Sequence, residues 1–184
     1  MFRNAAIVCS AAALAGIIAV GAQEATVMVG GAAMYPSRDI VDNAMKSKDH
    51  TTLVAAVKAA GLVETLKGAG PFTVFAPTNA AFEKLPAGTV DMLLKPDNQD
   101  KLKSVLTYHV VASRLDSKEL MALARAGRGK AELKTVSGDT LWIVWEGDKL
   151  WLRDEKGMNA AIAIADVYQK NGVIHVIDTV VMAN

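Results

Sequence analysis

The sequence predicts an α+β domain in which helices come first and an antiparallel β meander follows. Apolar residues recur at helical spacing along much of the chain up to about residue 125. From about residue 130 the pattern changes to short runs rich in Val, Ile and Trp, separated by Ser-Gly-Asp, Gly-Asp and Asn-Gly turns. Repeated strand-helix-strand units are absent, which favours mainly antiparallel sheets over a parallel one.

The N-terminus has the features of a secretory signal. Residues 1–22 carry one charged side chain, Arg3, ahead of an apolar run from Ala5 to Val20, and small residues end at Ala22. The run is short for a membrane span, so we expect cleavage after Ala22 and export to the periplasm, the cell surface or the medium. A retained membrane anchor is the alternative. After cleavage no membrane insertion is expected.

Residues 23–37 are predicted to be a flexible tether, and residues 38–184 the folded domain. The tether assignment rests on the run of small residues at 30–33 and on Pro36, which ends it. Six helical segments are predicted next, with Ser37 and Thr78 as N-caps of the first and the fourth. They cover residues 38–47, 51–60, 62–67, 79–85, 90–95 and 98–106.

The strand segments alternate with turn residues. Residues 72–76 form a strand between two prolines, residues 108–111 are expected to be extended, and Ser117 caps a last helix to about residue 125. Asn171-Gly172 is expected to supply the positive φ of a tight hairpin. The remaining strands are predicted at residues 133–136, 140–146, 149–153, 161–167 and 173–182.

Composition and motifs argue against several functions. The chain has 20 basic and 19 acidic side chains, so it lacks the basic excess of a nucleic-acid binder. Its single cysteine excludes an internal disulfide framework and a thiolate zinc cluster. The three histidines, His50, His109 and His175, are not spaced as metal ligands, and we expect neither a metal nor another cofactor.

No catalytic motif is present, so we expect a protein that is not an enzyme. The alternative is a cleft that joins His109 or His175 to a carboxylate such as Asp166 or Asp178. Both imidazoles lie in apolar segments, which is more typical of a buried neutral histidine with one hydrogen-bond partner.

Three segments together resemble the fasciclin domain family. Residues 70–82 (GPFTVFAPTNAAF) are similar to its first signature, residues 106–111 (LTYHVV) to its Tyr-His motif, and residues 171–178 (NGVIHVID) to its second signature. The resemblance implies several N-terminal helices packed on a wedge of two mainly antiparallel β-sheets. It also implies a secreted or surface role in adhesion or extracellular-matrix assembly. In vertebrate relatives the Tyr-His motif is linked to integrin binding, which makes Tyr108 and His109 candidate binding residues, although core packing also accounts for both.

A second candidate site comes from a predicted hairpin. With Gly147-Asp148 as its two-residue turn, Trp142, Trp151 and Arg153 share one face, and the opposite face is entirely apolar. The apolar face is expected to be the core side, and Arg153 is expected to stack on Trp142. The other face is either an exposed binding surface or is covered by another segment.

The sequence thus predicts an exported, non-catalytic adhesion module that binds a protein or a glycan. The alternative is a small-ligand carrier or a stress-induced envelope protein with an internal apolar pocket. The oligomeric state is open.

Overall fold

A computed structural model describes residues 26–183, and from residue 38 onwards the helices and strands follow the predicted order. The predicted signal, residues 1–22, and Cys9 lie outside the described residues. Within residues 26–183, no helix has both the length and the apolar character needed to cross a bilayer.

The described residues contain seven α-helices, six of them before residue 109. They are α1 (Ile40–Ala44), α2 (Thr51–Ala59), α3 (Val63–Lys67), α4 (Asn79–Glu83), α5 (Thr89–Leu93), α6 (Gln99–Tyr108) and α7 (Ser117–Ala126). Short 3₁₀ turns, Lys48–His50 and Pro96–Asn98, precede α2 and α6. Two caps differ from the predictions, because Asp39 and Asp116, rather than Ser37 and Ser117, accept the first free amides of α1 and α7. The Thr78 cap on α4 is confirmed.

Nine strands make up the two sheets of the described chain. They are β1 (Val27–Val29), β2 (Ala32–Met34), β3 (Phe72–Pro77), β4 (Val110–Val111), β5 (Lys130–Lys134), β6 (Thr140–Glu146), β7 (Lys149–Arg153), β8 (Asn159–Gln169) and β9 (Gly172–Ile177). The extended segment predicted from residue 108 is shorter, because Tyr108 is the last residue of α6.

The tether prediction was wrong for residues 27–34. These residues form the β1–β2 hairpin, in which Val27 pairs with Met34 and Val29 with Ala32. Val29 and Met34 are each only 3% exposed and pack into the helical core. Alternation of apolar and small residues over three positions is too short a pattern to distinguish such a hairpin from a linker.

The seven remaining strands have the order β4-β3-β9-β8-β7-β6-β5. The pair β3–β9 is parallel and every other neighbouring pair is antiparallel. Strand β8 pairs with β7 at its start and with β9 from Ile162 onwards, and register shifts interrupt it around Ile164. Bulges of this kind bend a strand. The two halves of the wedge therefore share β8.

Two apolar cores lie on opposite faces of the central strands. Val74 and Ala76 of β3, with Ile174 and Val176 of β9, face the helices. Phe75 and Ile177 face the inside of the wedge, together with Leu120 of α7 and side chains of β5–β7. The first and second signature segments are thus covered on both faces, as their nearly continuous apolar sequence predicts.

The predicted positive φ at Asn171-Gly172 is not adopted, since neither residue has one. The hairpin turn lies at residues 170–171, and glycine is needed at position 172 for a different reason. A Cβ there would lie 2.1 Å from the carbonyl oxygen of Phe72. Close approach of two backbones, rather than turn geometry, therefore requires Gly172.

Candidate functional site

The β6–β7 hairpin has the predicted register. Trp142 pairs with Arg153, Val144 with Trp151 and Glu146 with Lys149. Gly147 has a φ of 62°, which suits the first position of a type II′ turn. The predicted division of side chains between the two faces of the hairpin is therefore confirmed.

The predicted core side of this hairpin is buried. Ile143 and Leu152 are fully buried in the wedge interior, and Trp145 and Leu150 pack against its edge. Trp145 is half-buried and lies under the guanidinium of Arg125 from α7, whose Cζ is 4.5 Å from the ring centroid. The other face of the hairpin is therefore the outer one.

The outer face extends over four strands. Glu132 of β5 pairs with Trp142, and Lys130 of β5 pairs with Val144. On the other side, Ala161 and Asn159 of β8 pair with Trp151 and Arg153. We call the outer side chains of Lys130, Glu132, Trp142, Val144, Trp151, Arg153 and Asn159 the tryptophan face.

Both indoles on the tryptophan face are half-buried, so no other described segment fully covers them. Val144 between them is only 5% exposed. The centre of the face is therefore apolar, and charged side chains surround it. Such an arrangement resembles the centre and the rim of a protein interface.

One predicted contact on this face is corrected. The cation over the Trp142 ring is Lys130, whose Nζ is 4.5 Å from the centroid, rather than Arg153. Arg153 donates from Nε to Asn159 Oδ1 at 2.8 Å and lies 3.7 Å from Glu146 Oε1. The guanidinium therefore contacts Asn159 of β8 and Glu146 of β6 rather than the indole. Trp142 Nε1 donates to Glu132 Oε1 at 3.4 Å.

Tyr108 and His109 lie inside the protein, with 0% and 3% exposure. The Tyr108 hydroxyl donates to the carbonyl of Thr140 at 2.8 Å, and burial raises its pKa to about 12. His109 Nδ1 donates to the Val105 carbonyl at 2.8 Å, while Nε2 accepts from the amide of Val181 at 3.3 Å. Burial lowers the pKa of His109 to about 4, so the ring is neutral. A binding role for this pair stays a prediction.

His175 is also enclosed and fully partnered. Nε2 donates to the Leu115 carbonyl at 2.8 Å, Nδ1 accepts from the amide of Asp166 at 3.4 Å, and the ring stacks on Phe75. Burial lowers its pKa. The Asp166 carboxylate accepts from the amide and hydroxyl of Ser117 instead.

The cleft that would join a histidine to a carboxylate is not formed by these side chains. Both ring nitrogens of His109 and of His175 pair with backbone groups, two partners each rather than the one expected. Asp178 accepts from the amide of Ala161 and lies 3.3 Å from Lys84. Across residues 26–183, no three His, Cys, Asp or Glu side chains cluster closely enough to hold a metal ion.

An apolar cavity lies between the helices and the sheet. Helices α1, α2, α3 and α6 line one side of it, and the strands β3 and β9 line the other. The free volume open to groups of water size is about 60 Å³. Half-exposed Val54 and Val63 and exposed Val136 lie at its edge. Sequence patterns do not locate these residues, since apolar side chains at helical spacing also occur in filled cores.

The comparisons with known proteins agree with the fold. The sequence model of the family described as Fasciclin domain matches residues 48–183. Protein sll1483 of Synechocystis sp. is 43% identical over 159 residues, which cover 86% of this chain and 81% of the relative. A solved FAS1 domain pair from the insect cell adhesion molecule Fasciclin I has a similar fold, with a TM-score of 0.54 and 22% identity. That match covers 71% of this chain and 43% of the insect chain.

Two further relatives are longer proteins. The transforming growth factor-beta-induced protein ig-h3 of Sus scrofa is 37% identical over 145 residues, covering 79% of this chain and 19% of the relative. The cell surface glycolipoprotein MPB83 of Mycobacterium bovis is 40% identical over 121 residues, covering 66% and 47%. This chain therefore spans less than half of either protein.

Proposed function

The chain belongs to the fasciclin domain family, and from this premise we propose that it is an exported, non-catalytic adhesion module. One relative is a cell surface glycolipoprotein, and an insect cell adhesion molecule contains domains of the same fold. Residues 1–22 serve as the export signal in this proposal, and the mature protein acts in the periplasm, at the cell surface or in the extracellular matrix.

The single observation that carries the proposed binding role is the tryptophan face. Trp142 and Trp151 stay half-exposed beside the buried Val144, although large aromatic side chains are usually more fully covered in a fold. Indoles supply much contact area for little conformational entropy, and they are enriched among the residues that dominate binding energy. The proposed partner is a protein or a glycan that lies across β6 and β7.

The charged side chains around the two indoles are expected to contribute little to the binding free energy. Lys130 and Glu132 already contact Trp142, and Arg153 already lies beside Glu146, so pairing these surface charges with a partner contributes little. Most of the binding free energy would come from burying the two indoles. Higher salt should therefore weaken attachment only modestly.

Cell attachment tests this function. Cells that lack the gene should attach to a surface or aggregate less than wild-type cells. Restoring the Trp142→Ser plus Trp151→Ser variant should leave the defect uncorrected, because two aromatic anchors are removed. A Met28→Ser plus Met92→Ser variant is the control, since both methionines are exposed and lie off the face.

Each outcome bears on a separate part of the proposal. Unchanged attachment in the deletion strain would overturn the adhesion role. Full rescue by the double-tryptophan variant would overturn the site but not the role. Melting curves of the purified variants establish that a loss of attachment does not come from unfolding.

The apolar cavity supports a second candidate function, carriage of a small apolar ligand. Well-packed interiors contain few voids larger than a water molecule, so a cavity with space for several such groups is notable. Binding of any small apolar compound inside it, detected by shifts in the methyl signals of its lining residues, tests this function.

A further inference from the structure

We infer that the cavity between α1, α2, α3, α6 and the sheet binds a short-chain aliphatic monocarboxylate, with its tail inside and its carboxylate at Lys58. The inference rests on the carrier function proposed above. It adds the chemical class of the ligand, its size and its orientation.

The lining defines the tail. Among the described residues that line the cavity, His109 is the only ionisable one apart from Lys58, and both of its ring nitrogens already pair with backbone groups. The other lining side chains are aliphatic, threonine or phenylalanine. The described residues expose no polar atoms on the wall of the cavity, so a polar ligand group inside it would remain unsatisfied. Only an apolar tail fits this chemistry.

The volume limits the length of the tail. The free volume of about 60 Å³ holds about four to six groups of water or methylene size, since each needs roughly 10–15 Å³. A chain of about six carbons therefore fills the cavity. Further carbons would extend past Val54 and Val136 into solvent.

Lys58 defines the head group. It lies in the last turn of α2, and the aliphatic stem of this exposed side chain lines the cavity. In the part of the chain that the structure describes, its ammonium forms no ion pair with a carboxylate. A ligand carboxylate at the mouth of the cavity would pair with this ammonium. Both charged groups would stay partly hydrated there, so the pair would avoid the desolvation cost of a buried ion pair.

Titration of the methyl-labelled protein with hexanoate and with 1-hexanol tests the inference. Methyl signals of Val54, Val57 and Leu62 should shift with both compounds, and hexanoate should bind with a Kd on the order of 1 mM. From butanoate to heptanoate each added methylene should tighten binding about fourfold. Beyond that length the gain should stop, because the added carbons lie outside.

Substitutions separate the tail site from the head-group site. Lys58→Met should weaken hexanoate about two- to fivefold and leave 1-hexanol unchanged, since a partly exposed ion pair contributes modestly. Lys101→Met is the matched control, because Lys101 is an exposed helical lysine that does not line the cavity. Val54→Phe fills the cavity and should abolish binding of both compounds. Ala44→Leu fills the cavity from α1 instead of α2 and keeps the test valid if Val54→Phe unfolds.

The outcomes distinguish this inference from the function on which it rests. If neither compound shifts the lining methyl groups, the carrier function fails. If 1-hexanol binds and Lys58→Met leaves hexanoate unchanged, only the carboxylate orientation fails. If affinity keeps rising through decanoate, the size limit fails.

Discussion

Asn171 and Ile40 are joined by a hydrogen bond across 131 positions of sequence: the amide of Ile40 donates to Asn171 Oδ1 at 3.1 Å. The other end of the same side chain donates from Nδ2 to the carbonyls of Leu66 and Gly68, at 2.7 and 2.9 Å. One buried carboxamide therefore connects the first helix, the end of the third helix and the second signature strand.

Asn171→Ala should destabilise the protein by about 3 kcal/mol, because it leaves buried backbone groups without partners. The matched control is Asn98→Ala, since Asn98 makes a single exposed bond to the Met92 carbonyl and should cost less than about 1 kcal/mol. Urea denaturation measures both. Equal losses would contradict the connecting role assigned to Asn171.

Gly172→Ala should cost about 3 kcal/mol or more, because the new Cβ would overlap the Phe72 carbonyl and push β3 and β9 apart. Gly157→Ala is the comparison. It has a φ of 81° and open space around it, so only the conformational strain of about 1 kcal/mol applies. Thermal melting of the two variants checks the order, and a milder effect at position 172 would show that the strands can separate without loss.

Stability should fall as the pH decreases from 7 to 4.5. Burial lowers the pKa of His109 to about 4 and also lowers those of His50 and His175 from 6.5. The unfolded chain therefore binds protons more readily in this window. The stability these rings contribute is complete above pH 6.5 and is lost as the pH falls towards 4, on the order of 3 kcal/mol for His109.

Urea denaturation at a series of pH values measures this dependence, and His109→Gln should reduce its slope. The ring signals of the folded protein provide a second measurement. The ring signals of His109 should not shift between pH 8 and pH 5, because the ring stays neutral in the folded protein. A midpoint near 6.5 would contradict the burial argument.

Met34→Ala should destabilise the domain by about 2–4 kcal/mol, because Met34 is buried against the helical core. Met28→Ala lies in the same hairpin, but Met28 is 60% exposed, so a change within about 0.5 kcal/mol is expected. The pair directly tests whether residues 27–34 belong to the fold. Identical unfolding curves for the two variants and the wild-type chain would support the original tether assignment.

Local rules predicted the hairpin and the helices well. Apolar and polar side chains alternate on either side of Gly147, and this alternation predicts which face of β6 and β7 is buried. A register shifted by one residue would place the apolar side chains of a strand on the solvent face, so only one register is favourable. Thr78 was identified as a cap because its side chain acts on an amide only three residues away. The sequence does not identify Asp39 and Asp116 as the N-caps of α1 and α7, because the nearby Ser37 and Ser117 are equally able to cap a helix.

The candidate sites were only partly predictable. The alternation of side chains along β6 and β7 predicts which of their residues lie on the tryptophan face. It does not predict that Lys130 rather than Arg153 lies over Trp142, because Lys130 belongs to β5, a strand outside the hairpin. The cavity was expected only in general terms. Its location depends on how closely four helices approach the sheet, and no local pattern encodes that distance.

Local patterns in the sequence are sufficient to predict the α+β class, the order of the elements from residue 38 onwards and the resemblance to the fasciclin domain family. These depend on periodicity and on short motifs, which act between residues close in the chain. Only the folded structure shows that residues 27–34 pack on the core, that Asn171 connects distant segments and that both halves of the wedge share β8. These features depend on contacts between residues far apart in sequence, whose geometry exists only after the chain has folded.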